Sequence, residues 1–99
     1  MLEAFNKDIT IRRFKESSPM GTKTYHEAET IKGRLEFAQT KAINSKGQEV
    51  AAQADLFTTH KLGYNDVVLY EDRQMPILSI ATLDSLFDGF SHYEIKLGG

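Results

Sequence analysis

Residues 66–84, DVVLYEDRQMPILSIATLD, hold two runs rich in β-branched and large apolar residues on either side of the polar Glu71-Asp72-Arg73-Gln74. Branched side chains pack well on a pleated surface and lose rotamer freedom in a helix, so two such runs around a polar tip predict an antiparallel hairpin. Pro76 has no N–H to give to a ladder, which places it at the start of the second arm or facing an open edge.

Shorter alternations flank this hairpin. In DITIRRF, Ile9 and Ile11 share a face, and Arg12-Arg13 then breaks the period as a bulge or a strand end does. KESSPMGTKTYHEAET, with Ser17, Ser18, Pro19 and Gly21 close together, reads as a turn-rich surface connection. In IKGRLEFA, Ile31, Leu35 and Phe37 oppose Lys32, Arg34 and Glu36. Gly33 falls on the apolar side, where a missing side chain allows a bend or the close approach of another backbone, as at a barrel corner. Val50, Ala52, Ala54 and Leu56 also share a face, although the alanines suit a helix at least as well. SLFDGF turns at Gly89, and HYEIKL ends with Tyr93, Ile95 and Leu97 alternating against Glu94 and Lys96.

Short antiparallel strands joined by turns, with little helix, predict a mainly β fold, a small antiparallel barrel or sandwich. With 99 residues the chain is read as one domain, 1–99, with one modest core that buries roughly two-thirds of the unfolded surface. Ile31, Leu35, Phe37, Leu69, Ile80, Ile95 and Leu97 are the expected members of that core.

Composition narrows the function classes. The chain has no cysteine, which removes a disulfide framework, a thiolate metal site and the thiol enzymes, and suits a reducing cytoplasm. No apolar segment approaches the ~20 residues of a membrane helix, and MLEAFNKDIT carries Glu3 and Asp8 where a signal peptide needs a basic start, so a soluble, unexported protein with no membrane partner is expected. A net charge of −2 opposes a nucleic-acid-coating role, which calls for a basic excess.

Candidates for chemistry are sparse. His26, His60 and His92 show none of the spacings that make a metal site, and Asp84 with Asp88 becomes an acid/base pair only if burial separates their pKa values. No nucleophile elbow, phosphate loop or dinucleotide fingerprint is present, so neither enzymatic activity nor a cofactor is expected. Arg12, Arg13 and Lys15 form a basic knot able to touch DNA or a partner, against a plain reading as solvated surface. Tyr64, Tyr70 and Tyr93 lie beside or inside apolar runs, where packing is commoner than base stacking.

Taken in order, Ile9-Thr10-Ile11, Gly21 with Tyr25, Gly33-Arg34, Gly47-Gln48-Glu49-Val50, Asp66 to Tyr70, Ile77 to Ile80 and His92-Tyr93-Glu94-Ile95 resemble the head-closure, or head–tail joining, proteins of long-tailed bacteriophages. The likeness covers nearly the whole chain. It departs from that pattern at Glu71-Asp72-Arg73-Gln74, where a glycine is usual, and at Met75-Pro76, where an aromatic residue is frequent. The resemblance implies a small β-barrel, without catalysis, that joins a ring of identical copies in the neck of the virion. Such a ring sits beneath portal and adaptor proteins, helps retain packaged DNA, with which it can make non-specific contact, and presents a docking surface to tail proteins. Assembly would take place in the host bacterial cytoplasm.

The polar run from Gln39 to Gln48 has a place in that picture. It is expected as an extended loop, 39–49, with Lys41, Asn44, Lys46, Gln48 and Glu49 as candidates for contact with a neighbouring subunit or the channel, or else as a mobile surface loop. The rival function is a nucleic-acid-binding barrel of the oligonucleotide-binding type, with Arg12, Arg13, Lys32 and Arg34 along a groove. A third, an enzyme built on the histidines and Asp84/Asp88, requires a pocket in which they converge.

Overall fold

The computed structural model describes residues 7–85 and 89–99, and they form one antiparallel sheet closed on itself. Its strands are β1 (Lys7–Ser17), β2 (Lys23–Ile43), β3 (Glu49–Thr58), β4 (Val67–Tyr70), β5 (Arg73–Ser85) and β6 (Gly89–Leu97), in the order β1-β2-β3-β6-β5-β4. Pairing of Thr10, Ile11 and Arg12 with Leu69, Val68 and Val67 closes the barrel. Closure gives β1 and β4 partners on both sides and removes the sheet edges that would otherwise invite aggregation. The expected β-barrel is present, and no helix occurs among the described residues.

The core follows the alternation. Ile9 and Ile11 of β1, Leu56 of β3, Met75 of β5 and Ile95 and Leu97 of β6 are all buried, and Leu62 covers them from the β3–β4 connection. The alanine-rich run is a strand: Ala52, Ala54, Leu56 and Thr58 all point inward and are fully buried. Burial on the pleat outweighs alanine's helix preference, because that preference is a weak prior which tertiary packing overrides. Ile31 is buried as expected, whereas Leu35, Leu69 and Ile80 are only half-buried. Phe37 is a correction. It faces inward, opposite Ala54, yet is 48% exposed, because it lies beyond the start of β1, where the inner face opens to solvent.

β2 is 21 residues long and serves two partners in succession. Its first part pairs with β1 as far as Gly33↔Lys7, and from Gly33 onward it pairs with β3. A side chain at Gly33 would meet the Phe57 carbonyl oxygen at 2.8 Å, so the close backbone approach expected there is real. Beside it the buried Thr58 hydroxyl donates to the Lys32 carbonyl (2.7 Å) and accepts from His60 N–H.

Three local expectations change. Residues 23–30, read as part of a surface connection, are strand; only the turn around Ser18–Thr22 is connection, closed by a bond from Gly21 N–H to the Ser18 carbonyl. At Arg12-Arg13 the expectation of a bulge is met, and the strand continues through it. The β4–β5 tip is Glu71-Asp72 alone, since Tyr70 pairs with Arg73. Pro76 is at neither the start of β5 nor an open edge. Its carbonyl accepts from Gly98 N–H, so its N–H-less side faces β6 just where the ladder between those strands ends. Gly89 opens β6 with φ 78°; the rest of the expected SLFDGF turn, including Asp88, lies largely outside the described residues.

Truncation should follow burial rather than facing direction. Ile95→Ala is expected to cost about 2–5 kcal/mol, as for a fully buried aliphatic side chain, and Phe37→Ala about 1 kcal/mol or less because half of the ring is already in water. Urea unfolding of both variants checks this; equal losses would place Phe37 in the core.

Candidate functional site

The polar run 39–49 is not a loop. Residues up to Ile43 continue β2, residues from Glu49 begin β3, and Thr40, Lys41, Ala42 and Ile43 pair with Ala52, Ala51, Val50 and Glu49. The sequence misleads because polar and small residues dominate a ribbon that has little core to face. What signals a hairpin is the tip, NSKGQ. The Asn44 side-chain oxygen accepts from the N–H groups of Lys46 and Gln48 at 2.9 Å each, Asn44 and Gln48 are joined through their backbones (2.9 Å), and Gly47 takes φ 80°. An asparagine that bonds to the backbone two residues on, followed by a glycine with positive φ, is the chemistry of a tight turn.

This hairpin forms an arm. On its outer sides β1 begins only opposite Gly33 and β6 ends opposite Ala54, so among the described residues neither the β2 backbone after Gly33 nor the β3 backbone before Gln53 has a strand partner there. A bulge between Phe37 and Thr40 marks its root. Of the five candidates, Asn44 and Gln48 fix the turn, their side chains also joined at 3.2 Å. Lys41 and Glu49 face each other at 3.4 Å on the surface, and the Lys46 ammonium is exposed with no ion pair among the described residues. Ile43, which sequence reasoning passed over, is 55% exposed beside them. Its alternation with the small Ala42 hides it in a hydrophobicity profile.

A groove of about 490 Å³ opens at the foot of the arm. Leu35 and Phe37 of β2 and Leu69 and Tyr70 of β4 give it an apolar lining, in which the Phe37 and Tyr70 rings pack on each other with centroids 4.7 Å apart, and Glu71 sits on its lip. Glu71 has φ 55°, the only non-glycine residue with positive φ among those described. A side chain in that region costs of order 1–2 kcal/mol relative to glycine.

The basic candidates are mostly satisfied from within. Arg12 donates to the His26 carbonyl at 2.9 Å and lies over the Tyr25 ring, while Arg13 reaches Glu29 (3.3 Å) and Asp66 (3.7 Å). Asp66, nearly buried, also accepts from the N–H groups of Phe14 and Gly63 and so ties the β3–β4 connection to β1. Lys15 alone of that knot is exposed without an ion pair among the described residues. Lys32 pairs with Asp8, and Arg34 pairs with Glu36 (2.8 Å) and covers Phe57. Among the described residues no cluster of His, Asp or Glu could hold a metal. His26 and His60 are exposed on different elements, and His92 packs near Phe57.

Among the described residues one charged group, on the outer face, is shifted. The Lys96 ammonium lies 2.9 Å from Asp55 and 3.7 Å from Glu94 and donates to Thr40 at the root of the arm. Hydrogen bonding to Asp55, with the charges of Asp55 and Glu94 beside it, holds the Lys96 pKa above its ordinary 10.5 against the opposing effect of burial.

In comparisons with known proteins, no family model matches this chain and no curated protein matches its sequence.

Because the folded-state pKa of Lys96 is raised, its stabilising effect is fully present below the unfolded value near 10.5 and is lost as pH rises through the folded value. Melting curves of the protein and of Lys96→Met should therefore differ by a constant amount from pH 8 to 10 and converge above that range. A difference independent of pH up to 12 would contradict the ion pair.

Proposed function

We propose that this chain is a structural protein of a tailed bacteriophage or prophage, one subunit of a ring at the head–tail interface that closes the DNA-filled head and offers the tail its docking surface. Its partners on this reading are other copies of itself, portal or adaptor proteins above and tail proteins below, within the neck of the virion after assembly in the host cytoplasm. The observation that carries the reading is the β2–β3 arm, which adds nothing to barrel closure yet holds an ordered turn and two outer backbone edges with no strand partner among the described residues. A closed ring needs two different complementary surfaces on each subunit, and an arm leaving a compact barrel provides one. The order of motifs from Ile9 to Ile95 supports the same family resemblance.

The rival nucleic-acid role finds less support. Arg12, Arg13, Lys32 and Arg34 each engage acceptors of their own chain and do not line one open groove. Phosphate binding draws its free energy from cations available to replace counterions. The neck reading assigns the protein no catalytic step, and Lys15 remains for incidental contact with packaged DNA.

The test separates folding from assembly. Lys41→Ser, Lys46→Ser and Glu49→Ser together retain Asn44 and Gly47, so the barrel should melt within about 0.5 kcal/mol of the parent, as exposed positions do. The purified chain should sediment as a monomer at micromolar concentration, with or without the changes. Introduced in place of the parent gene, the triple variant should yield heads that package DNA but leak it or stay tailless, scored by titre and electron microscopy. Normal titre with a normal melting curve would remove the arm from assembly.

A further inference from the structure

The arm and the groove at its foot are complementary in kind. The arm tip carries an exposed apolar side chain, Ile43, and an ammonium, Lys46, without an ion pair among the described residues. The groove offers an apolar lining of Leu35, Phe37, Leu69 and Tyr70, and on its lip stands Glu71, followed in the turn by Asp72, both exposed and likewise without an ion pair among the described residues. Glu71 keeps an acidic side chain at φ 55°, where glycine fits without strain. The two-residue β4–β5 turn, closed by Tyr70↔Arg73, holds it in that conformation.

The two features do not meet within one molecule. Ile43 lies roughly 20 Å along β2 from Phe37 at ~3.3 Å per residue of extended strand, and the pairing of β2 with β3 on both sides of the bulge keeps the arm extended. We propose that the groove lined by Leu35, Phe37, Leu69 and Tyr70 is the receptor for the β2–β3 arm of a second copy of this chain, with Ile43 resting on that apolar lining and Lys46 pairing with Glu71 on its lip. The β2 edge beside the groove, which has no strand partner among the described residues, then takes up an outer edge of the incoming arm, the mode by which an extended segment adds to an open sheet. Donor and receptor are different patches, so the contact is heterologous and propagates from copy to copy into a ring or a filament. This rests on the arm being an inter-subunit element, but not on which particle contains it.

The chain has no cysteine, which makes cross-linking unambiguous. Ile43→Cys and Phe37→Cys in one chain stand too far apart for an internal disulfide, whose Cα atoms must lie within ~7 Å. Under mild oxidation at about 1 mM the double variant should form a ladder of covalent dimers, trimers and higher multiples. An equimolar mixture of the two single variants should stop at dimers, and neither single variant alone should cross-link. In parallel, Lys46→Glu should weaken ladder formation up to about fivefold, the range of an exposed ion pair, and Glu71→Lys in the same chain should restore it; both positions are exposed, so folding is preserved.

Dimers from Ile43→Cys alone would mean that arms pair symmetrically with arms, and this would overturn the proposal. Absence of any ladder would overturn it too, leaving the groove to a different occupant. A ladder together with normal phage titre in the arm variants would instead retain the contact and remove the neck role.

Discussion

The passage of β2 through Gly33 is the constraint on which the rest of the structure depends. At that residue the strand leaves β1 and continues with β3, and the Phe57 carbonyl occupies the space a side chain would need. Thr58 secures the crossing by donating to the Lys32 carbonyl from a fully buried hydroxyl. The part of β2 up to Phe37 belongs to the closed barrel, and the part beyond the bulge before Thr40 runs out into the arm. A glycine in a strand normally weakens it, and is kept where backbones must come close.

Barrel and arm are held by different forces. The barrel draws on burial of Ile11, Leu56, Met75, Ile95 and Leu97, with closure through β1 and β4 satisfying the backbone at what would be the sheet edges. The arm relies on its cross-strand ladder and on Asn44, with Ala42 and Ala52 its buried side chains. Lys96 connects the two, reaching Asp55 and Thr40 from β6. An element with so little apolar support is stabilised further by any surface that covers it, which suits a part used between molecules.

The barrel was legible because alternation is local. Ile9/Ile11, Val50 to Leu56 and Tyr93 to Leu97 each show their face without reference to the rest of the chain, and Gly33 announced its close approach by falling on the apolar side. The arm was not, since a polar ribbon and a polar loop have the same composition, and the register that distinguishes them is set by Asn44 and Gly47. Phe37 shows a related gap. Alternation gives its direction but not its depth, which depends on where β1 starts. The groove was invisible for the same reason, for its walls come from strands that only barrel closure brings together.

Amide hydrogen exchange across residues 39–52, on the dilute chain and again in assembled particles, tests most directly the claim that the arm is an ordered hairpin awaiting a neighbour. In the dilute chain the amides bonded between β2 and β3 should be slowed relative to an unfolded peptide while those on the outer edges exchange freely. On assembly the outer-edge amides should become protected as well. Exchange at unfolded rates throughout 39–49 in the dilute chain, or outer edges that stay unprotected after assembly, would contradict the account.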